Sequence, residues 1–261
     1  MLMIELTLSL IRREVVGRYR GSILGLFWSF LTPLFMLAVY TFVFGYVLKT
    51  RWSIPGGDTV EHSTAEFAVI LFAGLIPFQY FSEVVSSSPA LIVSNANYVK
   101  KIVFPIHILP VVSAGAAVFH SAVSLVVLVG FAAIMFGAPW TAIMAPVVFA
   151  PLVVMTLGFA WILAAIGVYF RDIGQIVPPL LTATMFLSPL FFPRTNLPAW
   201  LQPYLSLNPI AVPIEALRDI AVFGTMPDWA AIGYYTLVAI VVALLGEQFF
   251  RKTSRGFADV L

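Results

Sequence analysis

The sequence predicts an all-α membrane protein of about six transmembrane helices, with an N-terminal interfacial amphipathic helix and short re-entrant helices on the outer side before the last span. Three observations carry that fold class. Of 261 residues, 61% are hydrophobic and 10% charged, with a mean hydropathy of +1.01. That is more apolar surface than a water-soluble domain of this length can bury. Six runs approach or exceed the ~20 apolar residues that a spanning helix needs: 26–48, 67–85, 108–136, 143–170, 176–192 and 230–250. Finally, Lys and Arg are unevenly shared between the intervening loops.

Residues 1–20 come first. Ile4, Leu8, Ile11 and Val15 recur at helical spacing, with Glu5, Ser9, Arg12 and Arg13 elsewhere around the wheel. This suits a helix lying in the membrane surface. Leu6 and Leu10 blur the stripe, and a cytosolic extension of the first span is the other reading. Arg12 and Arg13 follow the apolar stretch instead of preceding it, and no small-residue cleavage site is present, which argues against a signal peptide. The third and fourth spans exceed the hydrocarbon thickness, so they tilt or extend into water. The fifth is short and bracketed by Pro178, Pro179, Pro189 and Pro193, each of which removes a helix hydrogen bond.

Ten of the fourteen cations share one side: Arg12, Arg13, Arg18, Arg20, Lys100, Lys101, Arg171, Arg251, Lys252 and Arg255. The positive-inside rule therefore places both termini in the cytosol. Trp52, Trp140, Trp200 and Trp229 fall at the outer boundary and Trp28 at the inner one, as an aromatic belt does. Segment 195–228 is divided by Pro198, Pro203, Pro209, Pro213 and Pro227 and cannot cross as one helix. Either 214–223 forms a short helix that enters the outer leaflet and returns, or the segment is a surface hairpin.

Several kinds of chemistry are not supported by these residues. There is no G-x-x-x-x-G-K-[ST] loop and no cytosolic stretch long enough for a nucleotide-binding domain. His62, His107 and His120 lie far apart in sequence, cysteine is absent, and no Ser, His and Asp set groups as a nucleophile would require. No catalytic or metal-binding residue is assigned, and a net charge of +2 gives no argument for nucleic acid. The ionisable residues read within spans are His120 and Glu247. His120 suits a neutral interhelical hydrogen bond better than a ligand or relay. Neither a carboxylate network nor a sequence repeat supports a proton-coupled carrier.

Three cytosolic surfaces are available to a partner: the stretch around Arg18-Tyr19-Arg20, the loop 86–107, and the Arg171-Asp172 turn. Within the loop, 94–105 has a polar start, a short helical core with Tyr98, Lys100 and Lys101, and then Pro105. It suits a helix docking in a partner's groove, or equally an ordinary loop whose lysines meet anionic headgroups.

The chain resembles the permeases of type-2 ABC exporters that handle O-antigen, teichoic acid and capsular polysaccharide. The resemblance runs through Arg18-Tyr19-Arg20-Gly21-Ser22, Leu24-Gly25, Trp28 and Pro33, then Asn97-Tyr98-Val99-Lys100-Lys101, Phe104-Pro105 and Ile108-Leu109-Pro110. It continues in Tyr169-Phe170-Arg171-Asp172-Ile173, Leu187-Ser188-Pro189, Asn208-Pro209, Arg218 and Phe257-Ala258-Asp259. The chain departs from the family at Ile106-His107, where charged residues are usual.

The resemblance implies a single permease domain over 1–261, two copies of which line a channel in the bacterial inner membrane above two copies of a separate ATPase. ATP-Mg would bind that partner and no cofactor this chain. It implies ATPase coupling for Asn97, Tyr98, Lys100, Lys101, Arg171 and Asp172. Arg18, Tyr19, Arg20 and Gly21 would form the elbow and inner mouth, and Asn208, Pro209, Glu215 and Arg218 the outer gate. The implied cargo is a glycan on a polyprenyl diphosphate. Phe35, Tyr40, Phe42, Phe44 and Tyr46 of the first span suit sugar stacking, and Arg18, Arg20 or Lys100 suit the diphosphate. Export of a drug or small lipid by the same architecture is the alternative. A membrane-embedded glycosyl or phosphosugar transferase would need clustered carboxylates, whereas Asp58, Glu61, Glu66, Glu215, Asp219 and Asp228 are scattered through two loops.

Overall fold

Every regular element in the computed structural model, which describes residues 2–47, 64–100, 104–137, 139–194, 198, 202–205 and 207–261, is helical. In chain order these are α1 (Leu2–Arg18), α2 (Trp28–Tyr40), α3 (Thr64–Ser94), α4 (Ala96–Lys100), α5 (Leu109–Phe136) and α6 (Ala145–Tyr169). They continue as α7 (Ile173–Phe186), α8 (Gln202–Leu205), α9 (Ala211–Arg218), α10 (Trp229–Thr253) and α11 (Phe257–Val260). Five helical stretches are long and apolar enough to cross a membrane: Gly25–Val43, Glu66–Ser94, Ile106–Phe136, Trp140–Tyr169 and Trp229–Val260.

The most apolar window of α3 is 78% buried, against 11% for the first stretch and 22% for the last. α3 is therefore the axis of the bundle, contacting α5, α6, α7 and α9. Small residues set the closest approaches, since association in lipid depends on packing more than on water exclusion. A Cβ on Gly167 would lie 2.0 Å from the Pro89 carbonyl oxygen, which locks α6 against α3. One on Gly246 would lie 2.4 Å from the carbonyl oxygen of Gly158, so α6 and α10 touch backbone to backbone there.

Two segments differ from expectation. The run 176–192 is not one spanning helix: α7 has 14 residues, ~21 Å at 1.5 Å per residue, short of the ~30 Å hydrocarbon. The chain then turns at Leu187–Ser188, with Pro189 unable to extend the helix. The packed stripe of α1 also differs. Leu10 and Val15 are buried, with Leu6 and Ile11 against the same core, whereas Ile4 and Leu8 are exposed. α1 presents one apolar face to α5 and keeps another free.

Within 195–228, the stretch 210–222 packs inside the bundle. α9 runs into a wider turn over Asp219–Phe223 that ends at Gly224, whose φ of +66° is left-handed. Pro213, Ile214, Leu217, Ile220 and Val222 are buried.

Candidate functional site

The coupling candidates gather at the end of the bundle where α3, α6 and α10 finish. Ile92, Leu109, Ala164, Val168, Phe250 and Phe257 form one apolar cluster there. Tyr169 donates its hydroxyl to the Thr253 carbonyl at 3.0 Å. α11 contacts both α4 and α6, so α4, which follows α3, and the Arg171–Asp172 turn, which follows α6, lie at one end. Asn97, Arg171 and Asp172 are exposed. Tyr98 is half-buried, its ring 4.5 Å from Phe104. Its hydroxyl accepts from Arg13 Nη2 at 2.9 Å. Lys101 lies outside the described residues, and Lys100 is described only as the last residue of α4.

α1 joins this end to the spans. Leu10 packs with Ile108 and Val112, Ile11 reaches Gly115, and Tyr19 meets His120 at 3.3 Å between Oη and Nδ1. These contacts ascend α1 and α5 together, so the two helices run side by side in the same direction. Arg18 Nη2 donates to Glu83 Oε1 of α3 at 2.6 Å. Glu83 and His120 lie within Glu66–Ser94 and Ile106–Phe136, two of the stretches long and apolar enough to cross a membrane. Gly21 (φ 87°) and Gly25 (φ 52°) then turn the chain toward α2, in a conformation that glycine adopts without strain. Arg20 is exposed beside them.

Glu83 was absent from the ionisable residues expected within spans, although it lies inside 67–85; a carboxylate in that run is itself the signal. His120 meets the hydroxyl of Tyr19 in the turn after α1 instead of a residue of another helix, and among the described residues its buried Nε2 has no partner.

At the opposite end, Asn208 caps α7. Its Nδ2 donates to the carbonyls of Thr184 at 3.0 Å and Leu187 at 3.1 Å, while its Oδ1 accepts from Ile210 N. The Pro209 carbonyl accepts from the Tyr235 hydroxyl at 2.6 Å. Arg218 is buried, 3% exposed. It donates to the carbonyls of Ile70 on α3 and of Pro189 and Leu190 after α7. Gly74 makes room: a Cβ there would lie 2.5 Å from Nη2. Glu215 faces a cavity that Arg194 also lines. Burial raises its carboxyl, with Arg194 opposing. Burial likewise pushes Asp219 up to about 6, with Arg218 opposing. A groove of about 380 Å³ beside Asn208 and Pro209 is lined by Phe186, Phe192 and Tyr204.

The fold and these polar ties define a multi-pass helical membrane protein whose buried polar groups hold helices together. Residues 5–222 match the ABC-2 type transporter family, and the chain belongs to it. It is a transporter component. It is 30% identical to the O-antigen export system permease protein RfbA of Myxococcus xanthus, over 97% of this chain and 94% of that one. It is 26% identical to the protein of the same name from Klebsiella pneumoniae, over 98% and 95%. Identity to the polysialic acid transport protein KpsM of Escherichia coli is 25%, over 93% and 91%.

Proposed function

We propose that this chain is the membrane-channel subunit of an ATP-driven exporter that moves lipid-linked polysaccharide, an O-antigen or related glycan, from the cytosolic to the outer face of the bacterial inner membrane. The observation that carries this reading is end-to-end similarity to permeases named for O-antigen and polysialic acid export. Those names also weigh against a drug or small-lipid cargo. Both termini would lie in the cytosol, as the cation distribution argues.

Two copies would pair around the path, above two copies of a P-loop ATPase that binds ATP-Mg. The weak burial of the first span supports pairing, since Phe35, Phe42 and Tyr46 stay exposed in a single chain. They are available to a second copy or to sugar rings. Closure of the ATPases would press on Asn97, Tyr98, Lys100, Lys101 and the Arg171–Asp172 turn. The Arg13–Tyr98 contact would pass that displacement to α1, and α1 would carry it to α3 and α5 through Glu83 and His120. Arg18 and Arg20, exposed at the elbow, would attract the diphosphate. Asn208, Pro209, Glu215 and Arg218 would hold the outer gate, and the aromatic groove beside it suits the apolar faces of pyranose rings.

Depletion in the native cell tests the reading. Long polyprenyl-linked glycans are expected to accumulate inside while the surface polymer disappears, with rescue by wild type but not by a Tyr98→Ala, Lys101→Ala double variant. An unchanged surface polymer without accumulation would transfer the assignment to a small-molecule or lipid exporter.

A further inference from the structure

A cavity of about 300 Å³ lies between α6, α9 and α10, apart from the elbow and the coupling end. Its wall on α10 is a helical stripe, Ala231, Tyr235, Val238 and Val242, flanked by Tyr234. At 1.5 Å per residue that stripe is ~16 Å long, the depth of one leaflet of a ~30 Å hydrocarbon core. The stripe starts in the first turn of α10, beside the expected outer boundary at Trp229, and its far end coincides with the floor. There the Gly158 backbone meets Val242, Ala243 and Gly246 and closes the gap between α6 and α10. Met155 and Phe159 of α6 and Val212 of α9 line the cavity opposite the α10 wall.

The lining is predominantly apolar, and its two charged members, Arg194 and Glu215, come from the outer segment. Arg194 is exposed and Glu215 half-buried. Among the described residues the Glu215 carboxylate accepts no hydrogen bond. Tyr234 lines the same cavity, and Leu237 and Val241 on the adjoining face of α10 are exposed.

We infer that this groove holds one zwitterionic phospholipid of the outer leaflet, with an acyl chain along the α10 stripe, its phosphate toward Arg194 and its ammonium on Glu215. The apolar length fits an acyl chain, and the opposite charges at the mouth fit the two charges of an ethanolamine headgroup. A purely anionic lipid leaves Glu215 facing a like charge, which is why neither phosphatidylglycerol nor a polyprenyl phosphate is the expected occupant. An arriving ammonium also offsets the burial that raises the Glu215 carboxyl. This assignment does not depend on the identity of the cargo.

The full-length protein, reconstituted in vesicles of phosphatidylethanolamine and phosphatidylglycerol in equal amounts with a minor share of polyprenyl phosphate, is then extracted and its retained lipids counted by native mass spectrometry. Wild type is expected to retain phosphatidylethanolamine over phosphatidylglycerol by about tenfold, the scale of one charged hydrogen bond. Glu215→Gln removes the preference, and Ala231→Trp, which fills the mouth, lowers retention of both. Equal retention by wild type, a preference that survives both substitutions, or replacement of phosphatidylethanolamine by polyprenyl phosphate would each overturn the assignment.

Discussion

Arg218 delivers its guanidinium to main-chain carbonyls of two separate segments, and Gly74 leaves the space for it. Its rigid fork explains why lysine is no substitute. Arg218→Lys is expected to lower stability by about 2 kcal/mol, because buried carbonyls left unpaired cost ~1–3 kcal/mol each. Gly74→Val should act in the same direction by displacing the guanidinium; thermal unfolding of purified protein reads both. A pure gating role predicts instead that Arg218→Lys unfolds like wild type while export changes. The Arg18–Glu83 pair is tested by charge reversal. Either single reversal leaves a like-charge pair of partly exposed side chains, a loss on the order of 0.5–1 kcal/mol, and the double reversal should recover most of it. No recovery in the double-mutant cycle would mean that the two side chains act separately. His120→Gln should leave export nearly intact at normal protein level, since glutamine can still hydrogen-bond Tyr19. Abolished export would make the imidazole a working group. Arg218 and His120 stand out in the sequence as polar residues in apolar surroundings; their partners do not, since the carbonyls that Arg218 meets lie 28 to 148 residues away and the Tyr19 hydroxyl that His120 meets 101 residues away, with no local pattern to mark them.

Helices α1 and α7 show where periodicity stops being informative. In water an apolar stripe marks the face that packs, but in a bilayer the lipid-facing side is apolar as well. Nothing in the spacing distinguishes Ile4 and Leu8, which are exposed, from Leu6 and Leu10, which pack toward α5. The end of α7 is fixed by Asn208, some twenty residues downstream, so the apolar run 176–192 looks spanning until that cap is known. The long helices α3, α5, α6 and α10 were legible because length and hydropathy alone define them. Their seams were not, as Gly158, Gly167 and Gly246 are ordinary glycines until the opposing backbone is seen. Gly246→Leu is expected to separate α6 from α10 and lower the unfolding temperature by several degrees, since overpacking costs ~1–3 kcal/mol. Gly233→Leu on the same helix, with open space around it, serves as the neutral control.

At the scale of the whole molecule, polar and small-residue ties run through the interior while the first span and the outer faces of α7 and α10 stay exposed. A single chain is therefore well packed inside and keeps apolar surface available to lipid, or to the second copy proposed above. Composition disclosed the membrane setting; the path through the molecule was not legible, because under the proposed function it would be shared by two copies and belong to neither sequence alone. The central claim is that this subunit, with its ATPase, carries a lipid-linked glycan across a bilayer. The direct measurement is reconstitution of both proteins in proteoliposomes loaded with purified polyprenyl-diphosphate glycan, following exposure of the sugar on the far face with an impermeant glycosidase. ATP-dependent exposure that falls at least tenfold when Arg18 and Tyr98 are replaced is the predicted result. Hydrolysis of ATP with no exposure of any lipid-linked glycan, while a small amphiphile crosses, would contradict it.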